Sequence, residues 1–432
     1  MRSMRSATMS TASCGDSDIS GTGIAAGTPA YRGLTLAMLF AGFSTFSLLY
    51  SVQPLLPSFA AQFGLSAEAA SLAVSLATGP LAIGILFAGA VSDRLGRRPL
   101  MIAAMFAAGA LTLATALVSG WSGLLVLRFL TGLALAGVPA VAMAYVAEEV
   151  DSASVGGAMG LYIAGSAIGG MGGRLVASLV ADFGGWRFAI AAVGVAGLAM
   201  AEAFRRLAPP SRNFTPSGGR PAALVRDARA LFADRAMPLL YLEAFLLMGV
   251  FVTIYNYAGF RLMGPPYGLS QSAVGAVFLL YVLGSISSAR FGTLAGRLGR
   301  RTIFWVPVVV LIAGVALTAM QPLALVIAGI AVVTIGFFGA HSIASAWVGR
   351  RAQSVAGGGA RGQAAAFYLF FYYMGSSVLG SAGGFAWTHA GWPGVTGFCL
   401  IVGGAALAIG LRLRAVPPLR VEPVTAPRMP VP

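Results

Sequence analysis

The chain has 432 residues, of which 58% are hydrophobic and 9% are charged, and its formal net charge is +15. An ordinary globular domain carries about 25% charged residues, so this composition excludes a water-soluble domain. The high hydrophobicity also excludes an intrinsically disordered chain. The composition therefore predicts a polytopic membrane protein. The two cysteines, Cys14 and Cys399, are too few for a disulfide framework or a zinc site.

Twelve stretches are long and apolar enough to cross a membrane, which takes about 20 residues. They cover roughly residues 34–57, 70–91, 100–118, 123–146, 155–180, 187–204, 238–260, 272–292, 302–320, 323–346, 364–386 and 393–411. This predicts an N-terminal bundle at 33–205, a cytoplasmic linker at 206–237 and a C-terminal bundle at 238–413. Residues 1–32 lack the apolar core of a signal peptide, and residues 414–432 are rich in proline, so both are predicted to be disordered cytoplasmic tails.

The positive charge follows the predicted topology. All 28 basic residues are arginine, and 23 of them fall on the side of the membrane that holds both termini and the linker. Only Arg187 and Arg261 fall on the other side, and Arg128, Arg174 and Arg290 lie within spans. By the positive-inside rule, both termini are predicted to be cytoplasmic. The excess charge therefore indicates topology and suits an anionic inner leaflet, and it does not indicate a nucleic-acid partner.

The two predicted bundles contain related sequences. The segment 89–98, GAVSDRLGRR, matches the segment 292–301, GTLAGRLGRR, at six of ten positions, 203 residues later. Glycines spaced by four at Gly165, Gly169 and Gly173 have a counterpart about 210 residues later, and a Gly-Trp pair precedes the sixth and the twelfth span. Three echoes at nearly one offset predict a duplication, a known design of transporters.

The first of these segments resembles the signature loop of the major facilitator superfamily. The similarity extends over about residues 33–413 and includes Arg128-x-x-x-Gly132 and the stretches 162–174 and 336–345, which are similar to those of bacterial inner-membrane permeases of the arabinose-efflux type. The resemblance implies an all-α membrane protein with twelve transmembrane helices in two pseudo-symmetric six-helix bundles. Ser166 replaces the proline of the proton-coupled exporters of the superfamily, and Gly296 replaces the aspartate in the second copy of the loop.

The resemblance also assigns roles to particular residues. It implies that the first loop closes the cytoplasmic gap between the bundles through ion pairs of Asp93, with a tight turn at Gly96. The predicted gating residues are Gly89, Asp93, Arg94, Gly96, Arg97 and Arg98. The glycine-rich fifth span is expected to lie where the two bundles meet, with small residues that permit close helix approach, and the alternative is that these are ordinary packing glycines. The predicted interface residues are Gly165, Gly169, Gly170, Gly173 and Arg174.

Ionisable groups within the spans are the strongest pointers to function, because a charge at the membrane centre costs about 2.5–3.5 kcal/mol on insertion scales. Glu243 is predicted to carry protons, with a structural pairing to arginine as the alternative. His341 is the second candidate for proton coupling, unless it is a packed hydrogen-bonding residue. Arg128 could hold an anionic substrate or pair structurally, and Arg174 is expected to bond backbone carbonyls near the second or fourth span.

Spans one, four, seven and ten line the central cavity in the superfamily. The predicted cavity residues are Gln53, Arg128, Tyr255, Asn256, Tyr281 and Tyr372, although aromatic residues in spans also face lipid or pack internally. The absence of lysine excludes the Gly-x-x-x-x-Gly-Lys-Ser/Thr motif, so the chain is not by itself an ATP-driven pump. No cluster indicates a metal site or an enzyme.

The sequence predicts a secondary active transporter that moves a small organic molecule by alternating access, with proton-coupled efflux across the bacterial inner membrane as the favoured direction. The alternatives are a proton-driven importer or uniporter of a sugar or organic acid and, more distantly, a transporter-like membrane sensor. The expected partners are the bilayer, protons and a small-molecule substrate. The expected energy source is the proton gradient, with no cofactor and no nucleic acid, and the expected state is a monomer.

Overall fold

The computed structural model describes residues 23–214, 221–356 and 360–417, and these residues are almost entirely helical. The helices before the linker are α1 (Pro29–Tyr50), α2 (Leu56–Phe63), α3 (Ala67–Leu95), α4 (Arg97–Thr115), α5 (Trp121–Leu135), α6 (Pro139–Glu149) and α7 (Val155–Leu207). The linker contains α8 (Pro221–Ala233). The helices after it are α9 (Met237–Met263), α10 (Gln271–Ala276), α11 (Tyr281–Leu298), α12 (Arg300–Ile303), α13 (Trp305–Thr318), α14 (Leu323–Ala356) and α15 (Ala360–Arg414).

These helices make twelve membrane crossings. Ten helical stretches of the described residues are long and apolar enough to cross a bilayer, and two of them, α7 and α15, have 53 and 55 residues. Such lengths are more than twice what one crossing needs. Each of the two bends sharply at a glycine with a positive φ angle, at Gly185 (77°) and Gly391 (58°), a conformation that glycine adopts without steric cost. The predicted fold class is confirmed.

An even number of crossings places the start of α1, the linker and the end of α15 on one side of the membrane, which we call the linker side. The opposite side is called the distal side. The first bundle comprises α1–α7 and the second comprises α9–α15, and α8 connects them along the linker side.

The first crossing is broken near the distal side. Helix α1 ends at Tyr50, a short 3₁₀ helix covers Gln53–Leu55, and α2 continues from Leu56. Pro54 and Pro57 have no N–H group to extend the hydrogen-bonding pattern of α1. The last carbonyl groups of α1 therefore need partners from elsewhere.

The two bundles repeat the same helix packing. A Cβ atom added at Gly165 of α7 would overlap the carbonyl oxygen of Leu39 in α1, and one added at Gly375 of α15 would overlap that of Phe245 in α9. The internal sequence repeat therefore corresponds to a structural repeat. In each bundle, a glycine-bearing helix lies close against the first helix of the same bundle.

The bundles meet mainly on the distal side. Hydrogen bonds join them at Gln53–Asn256, Ser75–Ser381, Pro54–Gln271 and Asp182–Ser272. On the linker side, no hydrogen bond or salt bridge among the described residues connects a helix of one bundle to a helix of the other. The space between the bundles is therefore closed toward the distal side.

Two segments differ from the predicted boundaries. The predicted tail 1–32 includes residues that are structured, because α1 begins at Pro29 and the amide of Ile24 donates to the Glu149 carbonyl at 2.7 Å. Residues 1–22 lie outside the described part. The predicted linker contains α8, whose Phe232 ring packs 5.0 Å from the ring of Phe367. The mixed polar and apolar composition of this segment concealed an amphipathic helix.

Candidate functional site

A cavity of about 200 Å³ lies between the two bundles near the middle of the membrane. Its walls come from α1, α7, α9, α11, α14 and α15. The lining residues are Phe46, Tyr50, Ile163, Ser166, Ala167, Gly170, Arg174, Met248, Phe251, Tyr281, Ser288, Phe337, Phe338, His341 and Tyr372. The lining is mainly aromatic, and it contains one arginine, one histidine and no aspartate or glutamate.

Arg174 stands at the distal end of this cavity and is 2% exposed. Its Nε donates to Gln53 Oε1 at 2.7 Å, and its Nη1 donates to the Gly170 carbonyl at 2.5 Å. The guanidinium carbon lies 4.5 Å from the centroid of the Tyr50 ring, 5.0 Å from that of Phe278 and 5.1 Å from that of Tyr281. The cation is thus enclosed by aromatic faces of both bundles, which stabilise it through cation–π attraction.

Gln53 connects this arginine to the second bundle. While its Oε1 accepts from Arg174, its Nε2 donates to Asn256 Oδ1 at 2.7 Å. All three side chains are buried. A chain of polar contacts therefore crosses from α7 through the end of α1 to α9, and it helps to close the cavity on the distal side.

Arg128 does not line the cavity, in contrast to the prediction. It is 1% exposed and donates to three backbone carbonyls, those of Ala73, Leu48 and Leu49. Two of these carbonyls belong to the last turn of α1, which lacks N–H partners because the helix ends there. Arg128 therefore stabilises the broken first crossing. The expected roles of the two arginines are exchanged, since Arg174 lies beside the cavity and Arg128 bonds the backbone carbonyls.

The predicted aromatic and amide residues divide between the cavity and its surroundings. Tyr281 and Tyr372 line the cavity. Tyr255 lies behind the wall, where its hydroxyl pairs with Thr334 Oγ1 at 2.8 Å and its ring stacks on Phe278. The structure thus brings these residues together with Gln53 and Asn256 in one region.

His341 and Glu243 lie in the second bundle, toward the linker side of the cavity. His341 lines the cavity, and its Nδ1 lies 2.9 Å from the hydroxyl of Tyr368. Glu243 is fully buried behind this wall near Phe304 and Gly410, and neither of its carboxyl oxygens has a hydrogen-bond partner within the described part of the chain. The expected structural pairing of Glu243 with an arginine is not found among the described residues.

The signature loop makes its ion pairs within the first bundle. Arg97 bonds Asp93 at 2.8 Å and Glu148, at the end of α6, at 2.9 Å. Arg98 donates to the carbonyl groups of Arg205 and Ala208 at the end of α7. Among the described residues, no ion pair of this loop to the second bundle is present in this conformation.

Three other members of the loop have no such contacts. Arg94 is exposed, a Cβ at Gly89 would meet no atom within 4 Å, and Gly96 forms the expected turn with a φ angle of 87°. A role of this loop in gating stays a prediction.

The predicted interface glycines contact their own bundle. Cβ atoms added at Gly165, Gly169 and Gly173 would overlap Leu39, Phe43 and Ser47 of α1. Gly170, on the neighbouring face of α7, lines the cavity. The prediction that the repeat faces the second bundle was therefore wrong for three glycines, because their helix packs along α1.

Sequence reasoning missed several cavity residues, including Tyr50, Phe251, Phe337 and Phe338. Tyr50 stands three residues before Gln53, on the same side of a helical turn, and this spacing could have identified it. The phenylalanines had no distinguishing signal, since the chain contains 26 of them and most spans have at least one. Among the described residues, no group of three or more His, Cys, Asp or Glu side chains is placed to hold a metal ion.

Comparison with known proteins agrees with this architecture. Residues 35–360 match the model of the Major Facilitator Superfamily. The chain is 43% identical over 387 residues to the inner membrane transport protein YnfM of Escherichia coli, covering 90% of this chain and 92% of that protein. It is 42% identical over 384 residues to the uncharacterized MFS-type transporter YybF of Bacillus subtilis, covering 88% and 94%.

A solved structure shows the same fold at low sequence identity. The nucleoside transporter NupG superposes with a TM-score of 0.71 at 16% identity, covering 89% of this chain and 99% of that one. The twelve crossings, the repeated bundles with a cavity between them, and these matches show that the chain belongs to the major facilitator superfamily of secondary transporters.

Proposed function

We propose that this transporter exports a small organic molecule from the bacterial cytoplasm by alternating access, coupled to the entry of protons. The observation that carries the proposal is the cavity between the bundles, closed on the distal side by Gln53–Asn256 and the neighbouring bonds. A substrate site at the meeting of two repeated bundles is what alternating access requires.

The charge distribution supports the orientation. By sequence, 23 of the 28 arginines are predicted to fall on the side of the linker, and short loops rich in arginine remain in the cytoplasm. With the linker side inside, a cavity that is closed on the distal side would exchange its substrate with the cytoplasm. The bacterial inner membrane is the corresponding location.

Glu243 and His341 support the coupling to protons. An ionised carboxylate is costly to bury without a partner, and Glu243 has none in this conformation. We therefore expect Glu243 to carry a proton in this conformation and to release it toward the linker side once water or a partner reaches its carboxyl group. His341 lines the cavity and pairs with the hydroxyl of Tyr368, so a second titratable group of the same bundle stands at the cavity wall.

A substrate-free experiment tests this coupling. Leu95 and Leu298 occupy equivalent positions in the two loops of the linker side and are 59% and 57% exposed. Each is replaced by cysteine for spin labelling, in a chain that also carries Cys14→Ser and Cys399→Ala. A second label pair at Gln62 and Ser270, both exposed, reports the distal side. Distance distributions are measured in nanodiscs at pH 6 and pH 9.

We expect the pair on the linker side to be far apart at pH 6, and a larger population with a closed linker side and an open distal side at pH 9. Coupling free energies of about 1–3 kcal/mol change such ratios about 5- to 150-fold. Glu243→Gln should keep the linker side open at both pH values. The matched control is Glu202→Gln, since Glu202 pairs with Arg205 at the end of α7, and it should respond as the wild type does. Equal pH responses in Glu243→Gln and the wild type would reject proton coupling through Glu243.

The direction of transport needs a separate measurement. Deletion of the transporter should raise the intracellular concentration of an exported substrate. A fall would indicate a proton-driven importer or a uniporter. Wild-type distances that never change with pH or with a bound ligand would indicate a membrane sensor or a static protein.

A further inference from the structure

The cavity holds a buried cation without a counterion. Among the described residues, the Arg174 guanidinium contacts only neutral groups, namely an amide oxygen, a backbone carbonyl oxygen, the Tyr281 hydroxyl and aromatic faces. Among the described residues no carboxylate forms a salt bridge with it, and no acidic residue lines the cavity. Burying an unpaired charge in a low-dielectric site is unfavourable, so the site favours a ligand that supplies a negative charge.

The remaining walls select the shape of that ligand. Phe46, Phe251, Phe337, Phe338 and Tyr372 present aromatic surface around a volume of about 200 Å³. A cavity of about 150 Å³ lined by apolar side chains is large enough for benzene. The space therefore suits one six-membered ring with a short substituent. A sugar fits poorly, because the lining provides few polar groups for its hydroxyls.

We propose that the substrates are small planar aromatic carboxylates, bound with the carboxylate at Arg174 and the ring among the phenylalanines of the second bundle. A guanidinium can bind a carboxylate through two parallel hydrogen bonds. The aromatic walls contribute by burying the ring and by edge-to-face contacts. A cationic ligand is rejected by like charge, and a neutral one leaves Arg174 without a counterion. The inference names a substrate class for the proposed transporter and thus rests on that function.

Benzoate is the probe for this site. Its binding to the purified full-length chain in nanodiscs is measured by calorimetry, alongside benzamide, which has the same shape without the charge, and benzylamine, which is a cation at neutral pH. We expect benzoate to bind at least about tenfold more tightly than benzamide, because hydrogen bonds to charged groups are stronger than neutral ones. Benzylamine should not bind measurably.

Substitutions locate the site. Arg174→Gln should weaken benzoate binding about 10- to 100-fold while leaving benzamide binding nearly unchanged, and Arg174→Lys should restore part of the affinity. Ala167→Phe fills the cavity from α7 without altering Arg174 and should abolish binding. The matched control is Arg187→Gln, because Arg187 also lies over an aromatic ring, that of Trp186, and bonds the Val118 carbonyl, but lies outside the cavity.

The outcomes separate this proposal from the preceding one. Equal affinity for benzoate and benzamide, or benzoate binding that survives both Arg174→Gln and Ala167→Phe, would overturn the substrate class. If Arg174→Gln does not fold, the ligand comparison on the wild type and the Ala167→Phe variant still decide the matter. Benzoate binding without any pH-dependent change in the label distances would retain the anion site and reject proton coupling. A pH-dependent change in the label distances without benzoate binding would retain proton coupling and reject the anion site.

Discussion

Replacing Arg128 by methionine should destabilise the first bundle without any direct effect on the cavity. The change removes three buried hydrogen bonds, to the carbonyls of Ala73, Leu48 and Leu49. Interhelical hydrogen bonds in membrane proteins contribute on average about 0.6 kcal/mol each and at most about 1.7. For three such bonds, we expect a loss of about 2–5 kcal/mol of unfolding free energy. Water does not reach the freed carbonyls at this depth of the membrane, so the loss should lie toward the upper end.

The assay is reversible unfolding of the purified protein in mixed micelles, followed by tryptophan fluorescence. Arg128→Lys keeps the charge but reaches fewer carbonyls, so it should show an intermediate loss. Arg187→Met is the control for removing an arginine from the same bundle, and it should cost less than about 1 kcal/mol. The reasoning would be refuted by an Arg128→Met protein that unfolds like the wild type. If the Arg128→Met protein unfolds like the wild type but binds benzoate more weakly, Arg128 instead has a role in the cavity.

Two further predictions concern packing and ion pairing. Gly169→Ala should lower the free energy of unfolding by about 1–3 kcal/mol, since the added methyl group would overlap the backbone of Phe43. The control is Gly160→Ala in the same helix, where no atom lies within 4 Å, and it should be neutral or stabilising by up to about 1 kcal/mol. The same unfolding assay compares the two variants, and equal effects would contradict the close approach of α7 to α1. Burial acts to raise the pKa of Asp234, but hydrogen bonds from Arg351 and from two backbone amides outweigh it and hold that pKa below its usual value. The stabilisation from the pair should therefore be fully present above about pH 4 and be lost as the pH falls further. The difference in Tm between the wild type and Asp234→Asn should shrink below about pH 4, and a difference independent of pH would exclude the ion pair as its cause.

Hydropathy and charge predicted the fold because the membrane imposes the same requirement on every crossing. Each span must bury its backbone polar groups in its own helix, so the length and composition of the apolar stretches suffice to count them. The bends at Gly185 and Gly391 were predictable as Gly-Trp pairs between spans. The amphipathic helix α8 was not, because it does not cross the membrane.

The faces of the helices were harder to predict than their existence. The repeated glycines of α7 correctly indicated a close helix contact, but a spacing of four does not reveal which helix lies opposite. The structure places Gly165 and Gly169 against α1. The glycines of α7 face α1 because both helices belong to the first bundle. Which helices are neighbours within a bundle depends on the tertiary arrangement of its six crossings.

The two buried arginines show the same limit most clearly. By sequence, Arg128 and Arg174 are equivalent, since each is a lone charge at a similar depth in an apolar stretch. What distinguishes them is the end of α1 at Tyr50, which leaves unpaired carbonyls beside Arg128 and places Gln53 beside Arg174. Three backbone carbonyls accept from the guanidinium of Arg128, whereas one amide oxygen and one backbone carbonyl accept from that of Arg174.

The scarcity of charged residues in the spans makes Arg174 the main charge at the cavity. The described residues that line the cavity include no acidic side chain and are mainly aromatic, so no lining group opposes the field of Arg174. A counter-charge in the lining would cancel this field and make the site suitable for neutral substrates. Because the lining residues do not provide one, the field of Arg174 remains available to a ligand. The composition that excludes a soluble protein thus also favours an anionic substrate.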